Sequence, residues 1–324
     1  MRWAWATYHS HPTQSQCTRM KRRYAEITRG GASHNDVSIV SLQIRSSPGN
    51  VTANLAHSAT QIRRLLRKPG KKPDIVLLPE LSSTGYSDEV LQNKEKYAED
   101  LLAGPSFQFY SKLSLECGCC IAYGILCRRL KKVTISHVVV GPGRNRPVAK
   151  YDKIHLCSVG DCSEVACGIT PGELKQKTPT TFDVKGVRVG LCICYDLRFP
   201  ELWRLLAWTK HCDVILHPCA FSRDATFSTW HPFVTTRAVE NGVYVVSANY
   251  AGSHFGDSIV CPPWVGSVAS ADGGTTRNSE ILVCKGTMEG HNHVIIDQTL
   301  LCDVRKQAPF RDVQRFLKLR KRGK

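Results

Sequence analysis

Runs of apolar residues separated by polar turns divide most of the chain into strands and helices. Apolar residues recur at every second position over 187–193, which predicts a strand, and every three or four positions over 55–66, which predicts a helix. The strands predicted in this way are Val37–Ile44, Ile75–Leu78, Ile121–Leu126, Val133–Val140, Val187–Ile193, Val214–His217, Val243–Ala248, Ser258–Cys261, Ile281–Cys284 and Val294–Ile296. So many strands in one domain predict an α/β fold with two sheets and helices outside them.

Two of the predicted strands lead directly into a polar residue suited to chemistry. The apolar run Ile75–Leu78 predicts a strand buried on both faces, and Pro79 ends it because proline has no N–H for the sheet ladder. Glu80 then lies at the carboxyl end of that strand, where open α/β sheets bind ligands. Cys194 follows the strand over 187–193 at a corner where a helix-like segment begins, as nucleophiles are often presented.

Neither residue is convincing alone, because buried cysteines are common and mostly inert. A cysteine nucleophile needs a base and a group that stabilises the oxyanion formed on the attacked carbonyl. Lys153 is a candidate for the second role, since aromatic and apolar neighbours would keep its ammonium group close to a dry site. Taken alone, Lys153 would more simply pair with a surface carboxylate.

The residues around these three positions form ordered blocks. Pro79-Glu80 is followed by Gly85-Tyr86, then by Tyr151–Leu156, and then by Cys194–Glu201. In residue type, order and spacing they resemble the signature blocks of the nitrilase superfamily, the carbon–nitrogen hydrolases. The similarity runs from about residue 36 to residue 316. It implies a four-layer α-β-β-α sandwich and dimers formed by helices that include the one at about Glu201–Trp208.

The resemblance assigns Glu80 as general base, Lys153 as oxyanion stabiliser and Cys194 as nucleophile, with the backbone N–H of Tyr195 assisting Lys153. The chemistry of the residues agrees, because burial raises the pKa of a carboxylate toward that of a thiol, and a nearby ammonium group favours the thiolate. The implied course is attack of Cys194 on an amide carbonyl, a thioester intermediate and hydrolysis by water. It requires neither a metal ion nor an organic cofactor.

A second glutamate usually supports the base in this family, and two residues compete for that role. Glu164 precedes Thr170-Pro171-Gly172, which resembles the family's proline–glycine turn, and Asp161 is the alternative. Tyr86, Cys219 and Trp230 are predicted to line the substrate pocket, although Trp230 could equally pack in the core.

Four other charged residues in or near these blocks favour structural interpretations. Asp196 and Arg198 are expected to hold the corner at Cys194 by hydrogen bonds. Arg237 and Glu240 lie three positions apart on a predicted helix and are expected to form an ion pair.

The segment Cys194–Glu201 also bears on the reaction. It resembles the amidase branch that includes omega-amidases and deaminated-glutathione amidases, and it lacks the Trp-Glu pair that usually follows the cysteine in true nitrilases. The predicted reaction is therefore hydrolysis of a terminal carboxamide on a small dicarboxylate-like molecule, with release of ammonia. N-carbamoyl amide hydrolysis, as by beta-ureidopropionase or N-carbamoylputrescine amidase, is the enzymatic alternative, because Asn249 and Gly252 resemble that branch.

The net charge of +17 raises a non-enzymatic alternative, a basic nucleic-acid-binding protein. However, residues 1–35 and 317–324 each carry +5, so most of the excess lies in two terminal segments outside the hydrolase domain predicted over 36–316. No zinc-finger, ribonucleoprotein or helix-turn-helix signature supports nucleic-acid binding, which is therefore not expected.

Fifteen cysteines, an odd number, argue for a reducing compartment such as the cytoplasm rather than for a secreted disulfide framework. The basic N-terminus also permits a mitochondrial presequence, and Met20 is an alternative start to Met1. No apolar run is long enough to span a membrane. Of the cysteine groups, 117–120 is expected to supply core thiols, and Cys157, Cys162 and Cys167 are expected near the site.

Overall fold

The chain alternates strands and helices as the hydrophobic pattern predicts. The structure, a computed structural model, describes residues 36–70, 72–158, 163–173, 180–269 and 276–308. The segments 1–35 and 317–324, Met20, Asp161, Cys162 and the Gly-rich stretch at 271–274 lie outside these ranges. The domain boundaries at 36 and 316 stay predictions.

The strands within the described ranges agree with the predicted ones to within a few residues, and short additional strands join them. They are β1 (Val37–Gln43), β2 (Ile75–Leu77), β3 (Glu99–Asp100), β4 (Cys120–Arg129), β5 (Lys132–Val140), β6 (Ala149–Asp152), β7 (Thr181–Val184), β8 (Val187–Leu191), β9 (Val214–Pro218), β10 (Tyr244–Ala248), β11 (Ser258–Cys261), β12 (Gly266–Val268), β13 (Arg277–Ser279), β14 (Leu282–Cys284) and β15 (Gly290–Ile296). The helices are α1 (Val51–Leu66), α2 (Asp88–Gln92), α3 (Lys94–Tyr97), α4 (Pro105–Cys117), α5 (Pro200–Arg204), α6 (Trp230–Asn241) and α7 (Gln298–Gln307).

The strands form two main sheets. The first has the order β15-β1-β2-β4-β5-β6, with β3 beside β4, and the second has the order β14-β11-β10-β9-β8-β7. In the first sheet β1, β2 and β4 are parallel, and in the second β8, β9 and β10 are parallel. The carboxyl ends of neighbouring parallel strands share one edge of a sheet, and in each sheet that edge carries the polar residues predicted from the sequence.

The side chains of β2 show how the layers form. Ile75 and Leu77 belong to a core that also includes residues of β8 and β9, whereas Val76 and Leu78 pack with residues of α1 and α4. All four are fully buried, and each burial of such a side chain contributes about 1.5–3 kcal/mol. Since α5 and α6 add their apolar residues to the core of the second sheet, the predicted α-β-β-α sandwich is confirmed.

The segment after Cys194 is helix-like as predicted, but it is divided into three short pieces. Residues Cys194–Arg198 form a 3₁₀ turn, and α5 begins only at Pro200. Pro200 disfavours a helical conformation of the residue before it, and Phe199 has φ −112° and ψ 91°. A π-helical turn over Leu205–Thr209 then follows α5, so the region Glu201–Trp208 is divided in two.

The thiols at 117–120 fit the core role predicted for them only in part. Cys119 is buried, and burial raises its pKa to about 12, whereas Cys117 and Cys120 are half-buried. Among the described residues, no group of three or more His, Cys, Asp or Glu side chains could bind a metal ion. The described helices also include none that combines the length and the apolar character needed to cross a bilayer.

Candidate active site

Glu80 lies at the corner where the chain leaves β2. Its side chain is buried and accepts hydrogen bonds from Lys153 Nζ at 2.8 Å and from the Ala220 N–H at 3.1 Å. The hydroxyl of Tyr250 donates to the Glu80 carbonyl at 2.5 Å and fixes the backbone of the corner. Burial raises the pKa of Glu80 above its ordinary value, although the charge of Lys153 opposes this shift. A carboxylate so placed can exchange a proton with a neighbouring thiol.

Lys153 follows β6 directly and is buried between two carboxylates. Its Nζ lies 2.8 Å from Glu80 Oε1 and 2.6 Å from Glu164 Oε1. Burial alone would lower the pKa of Lys153, but the charges of Glu164 and Glu80 together raise it well above its ordinary value. The side chain is therefore an ammonium group in a dry site, which can stabilise negative charge on a bound molecule.

Glu164 occupies the position that the sequence predicted for a supporting glutamate. Its fully buried carboxylate binds Lys153 and accepts a hydrogen bond from Tyr86 Oη at 2.8 Å. The other oxygen accepts the Cys157 N–H at 2.7 Å, which ties the loop after β6 to the site. Tyr86 is thus connected to Lys153 through Glu164. The competing residue, Asp161, lies outside the described part of the chain.

Cys194 is the first residue of the 3₁₀ turn after β8 and has a positive φ of 41°. Its side chain is half-buried, whereas the neighbours Cys192 and Ile193 are buried. The thiol lies close enough to Cys219 and Glu80 for each of them to affect its pKa. The contact with Cys219, burial and the charge of Glu80 raise the pKa of Cys194, and Lys153 opposes them. The resting nucleophile candidate is therefore a thiol with a carboxylate acceptor beside it.

Asp196 fixes this corner as a structural residue. Its buried carboxylate accepts the Ile193 N–H at 3.0 Å, the Tyr151 hydroxyl at 2.8 Å and the His155 N–H at 3.0 Å. His155 Nδ1 also lies 2.7 Å from Asp196 Oδ1. These contacts connect the corner to β6 and to the segment that follows Lys153.

Arg198 makes cation–π contacts in place of the hydrogen bonds expected for it. Its guanidinium group lies over the ring of Tyr195 at 5.6 Å and over Phe233 at 5.4 Å, which are cation–π contacts. Arg237 instead supplies the hydrogen bond to this turn, from Nε to the Leu197 carbonyl at 3.0 Å. It also forms the predicted ion pair with Glu240, at 2.9 Å.

The turn places two backbone amides at the corner. Its first internal hydrogen bond runs from the Asp196 N–H to the Ile193 carbonyl at 2.9 Å. The N–H groups of Cys194 and Tyr195 precede that bond and have no acceptor within the turn, as at any helical N-terminus. An oxygen atom bound at the Cys194 thiol could accept from them.

His217 lies in the site but was not predicted from the sequence. Its ring bridges Cys194 and β10, with Nε2 3.0 Å from the Cys194 carbonyl oxygen and Nδ1 2.9 Å from Ser247 Oγ. Burial lowers the pKa of His217 to about 4. The neutral ring then donates from Nε2 to the carbonyl and accepts at Nδ1 from the hydroxyl. The one signal was a histidine at the end of an otherwise apolar strand.

The two remaining pocket predictions have different outcomes. Cys219 is buried in contact with the Cys194 thiol. Trp230 is fully buried and stacks on Phe221 with ring centroids 5.4 Å apart, so its described contacts are packing contacts.

Asn249, the residue that suggested an N-carbamoyl substrate, holds a loop. Its amide accepts from the Phe221 N–H at 2.9 Å and donates to the carbonyls of Phe221 and Gly256. This clamp fixes the loop whose Ala220 N–H binds Glu80.

Comparison with known proteins agrees with this fold and gives the family. Residues 37–284 match the carbon-nitrogen hydrolase family model. The omega-amidase of Homo sapiens is 31% identical over 84% of this chain and 92% of its own length. The deaminated glutathione amidase of Rattus norvegicus is 34% identical over 51% of this chain and 54% of its own. The crystal structure of Nit3 from Saccharomyces cerevisiae, a branch 10 member of the nitrilase superfamily, is 26% identical, with a TM-score of 0.68 over 85% of this chain and 94% of its own.

The fold and the residues at its strand ends therefore define a layered α/β hydrolase. The chain belongs to the carbon–nitrogen hydrolase family of the nitrilase superfamily. It is a hydrolase of carbon–nitrogen bonds other than peptide bonds.

Proposed function

We propose that this hydrolase cleaves a terminal carboxamide with Cys194 as nucleophile, Glu80 as general base and Lys153 as oxyanion stabiliser. The observation that supports it most is the buried arrangement of two carboxylates around one ammonium group, with the Cys194 thiol in contact with Glu80. Glu80 takes the thiol proton as sulfur attacks the amide carbon. The oxyanion that forms is stabilised by Lys153 and by the N–H of Tyr195.

The same proton then serves the second half of the reaction. Glu80 gives it to the leaving nitrogen, so that ammonia departs and a thioester with Cys194 remains. A water molecule replaces the ammonia, loses a proton to Glu80 and attacks the thioester carbon. The raised pKa of Glu80 suits a group that must both accept and donate a proton. Glu164 holds Lys153 throughout and keeps it charged.

The proposed substrate is a small molecule that carries a terminal carboxamide and a distal carboxylate. The support is the similarity to proteins named omega-amidase and deaminated glutathione amidase. An N-carbamoyl substrate has less support, because the Asn249 amide that suggested it is engaged by the loop at Phe221 and Gly256.

We further propose a homodimer formed through α5 and the π-helical turn after it, and a reducing compartment such as the cytoplasm. All 13 cysteines among the described residues are free thiols, which fits such a compartment.

The test is an ammonia-release assay on glutaramate-type amides and on N-carbamoyl compounds, joined to mass spectrometry of the intact protein. We expect ammonia from the amides and an acyl adduct that is absent from Cys194→Ala. Asp183→Asn, an exposed substitution on β7, is the control for handling and folding. An adduct that persists in Cys194→Ala would refute the assignment of the nucleophile. Folded protein that turns over neither class would refute the proposed reaction.

A further inference from the structure

Two cysteines face one another across the site. Strands β8 and β9 are parallel, and their register pairs Val189 with Val214 and Leu191 with Leu216. The Cys192 N–H continues this pairing with a bond of 3.2 Å to the Leu216 carbonyl. Cys194 and Cys219 follow Leu191 and Leu216 by three residues each, and both adjoin one ring, since His217 Nε2 lies 3.0 Å from the Cys194 carbonyl oxygen and 3.5 Å from Cys219 Sγ.

The distance between neighbouring strands suits a disulfide between residues at their ends. Neighbouring strands lie about 4.8 Å apart, and the Cα atoms of a disulfide lie about 4.4–6.8 Å apart. Both cysteines are free, and the Cys219 thiol lies close enough to Cys194 to raise its pKa.

The two thiols differ in access and in surroundings. Cys194 is half-buried, so a small oxidant can reach it from the substrate side. Cys219 is fully buried, with Sγ 3.3 Å from His217 Nδ1 and 3.5 Å from Ser247 Oγ. The first thiol is therefore the more accessible of the two, and the second is shielded from solvent.

We propose that Cys194 and Cys219 form a reversible disulfide when the enzyme meets a hydroperoxide, and that this link protects the nucleophile. Oxidation begins when the Cys194 sulfur attacks one peroxide oxygen. An S–O bond forms, the O–O bond breaks, and water or an alcohol leaves with the thiol proton. Cys194 is then a sulfenic acid, and the hydroperoxide has been reduced by two electrons.

The second step closes the link. The Cys219 sulfur attacks the Cys194 sulfur, the S–S bond forms, the S–O bond breaks and water leaves. A dithiol reductant reverses the change by thiol–disulfide exchange. Without Cys219 the sulfenic acid stays open to further peroxide, which gives sulfinic and sulfonic acids that simple thiols do not reduce.

The experiment compares the full-length wild type with Cys219→Ala, and with Cys192→Ala as a matched control that removes a buried thiol near Cys194. Each protein is treated with hydrogen peroxide under non-reducing conditions and digested for mass spectrometry. We expect wild type and Cys192→Ala to lose about 2 Da and to yield a peptide pair linked through Cys194 and Cys219. Treatment with dithiothreitol should remove the link.

Cys219→Ala should instead gain oxygen at Cys194, and dithiothreitol should recover at least tenfold less free Cys194 thiol than in the wild type. Phenylarsine oxide, which bridges adjacent thiols, should link Cys194 to Cys219 in fully reduced wild type and should leave Cys194 unmodified in Cys219→Ala, as located by peptide mass spectrometry. This readout needs no turnover, so it separates the disulfide from the proposed amidase reaction. Overoxidised Cys194 in the wild type, or a link from Cys194 to another cysteine, would overturn the proposal.

Discussion

The corners at Glu80 and Cys194 are built alike and held differently. Each follows a parallel strand, and each contains a non-glycine residue in the left-handed region, Leu81 with φ 48° and Cys194 with φ 41°. Such a residue costs roughly 1–3 kcal/mol, which the surrounding structure must offset. At the first corner the strained residue is the one after the carboxylate. At the second it is the nucleophile candidate itself.

The first corner is held by the backbone. The Gly85 N–H bonds to the Leu81 carbonyl at 2.8 Å, and the Ser83 N–H bonds to the Gly124 carbonyl at 3.1 Å. Gly124 on β4 also leaves room for the turn, because a Cβ atom there would stand 2.2 Å from the Leu81 nitrogen. Two side chains add to this backbone frame, because the Tyr250 hydroxyl donates to the Glu80 carbonyl and Ser82 Oγ accepts from the Gly124 N–H.

The second corner is held by side chains. The Asp196 carboxylate gathers donors from Ile193, Tyr151 and His155, and the His217 ring binds the Cys194 carbonyl. The difference teaches that two equal backbone strains can be stabilised by unrelated means. It also means that different substitutions should disrupt each corner.

The largest effect should follow Gly124→Ala. The added methyl group meets backbone atoms that cannot move cheaply, so we expect the free energy of unfolding to fall by about 3 kcal/mol or more. Urea unfolding followed by circular dichroism measures it. Gly141→Ala is the control, because its methyl group meets the side chain of Val148. Equal stability of the two variants would show that the Glu80 corner does not depend on the glycine.

The sequence predicted the strand ends better than it predicted what holds them. Glu80 and Cys194 each follow an apolar run and precede a break, so their positions at strand ends are local properties of the sequence. Ala220 contributes only a backbone N–H to Glu80, and no residue type marks such a donor. His217 reaches Cys194 through the pairing of β8 with β9, which the sequence alone does not specify.

The layered fold was predictable for a similar reason. Strands such as β2 carry continuous apolar runs because both faces are buried, and that pattern is visible without knowing the partners. The helix after Cys194 was predicted too simply, because the hydrogen bond from Asp196 to Ile193 tightens the turn and Pro200 restarts the helix. Such competition between local interactions leaves little trace in apolar periodicity.

A smaller stability effect, with a large effect on rate, should follow Asp196→Asn. The amide keeps one acceptor oxygen where the carboxylate had two. Its N–H₂ group then faces either the donors of Ile193 and Tyr151 at Oδ2 or the donor of His155 at Oδ1. We expect the free energy of unfolding to fall by about 2 kcal/mol, since hydrogen bonds to charged groups contribute about 1.5–3 kcal/mol. Displacement of the Cys194 thiol should lower kcat about 100-fold.

Urea unfolding and the rate of acyl-adduct formation at Cys194 test this expectation. Asp183→Asn is a charge-matched control on the surface, where the ion pair with Arg188 is half exposed. A variant that loses stability yet acylates at the wild-type rate would contradict the role of Asp196 in placing the nucleophile.

The smallest effect, counted per pH unit, separates the two corners by the sign of their pH dependence. Burial lowers the pKa of His217 to about 4, from an ordinary value of 6.5, so between these values the unfolded chain binds more protons than the folded protein. The contribution of His217 to the free energy of unfolding therefore falls as the pH decreases through this window, by up to about 1.4 kcal/mol per pH unit. Burial raises the pKa of Glu80 above 4.5, so the folded protein binds more protons there. Its contribution falls as the pH increases from 4.5 through the raised pKa.

Urea midpoints of His217→Gln and Glu80→Gln, measured across both windows, test these opposite signs. His217→Gln should reduce only the loss of stability that occurs as the pH falls from 6.5 toward 4. Glu80→Gln should reduce only the loss of stability that occurs as the pH rises above 4.5. His137, whose pKa burial lowers to about 3, keeps an acid-sensitive contribution in both variants, so the acid side should flatten without disappearing. Each corner would then have its own titrating group, although both corners serve one site. Equal flattening by both substitutions would mean that the Glu80 and Cys194 corners unfold and titrate as a single unit.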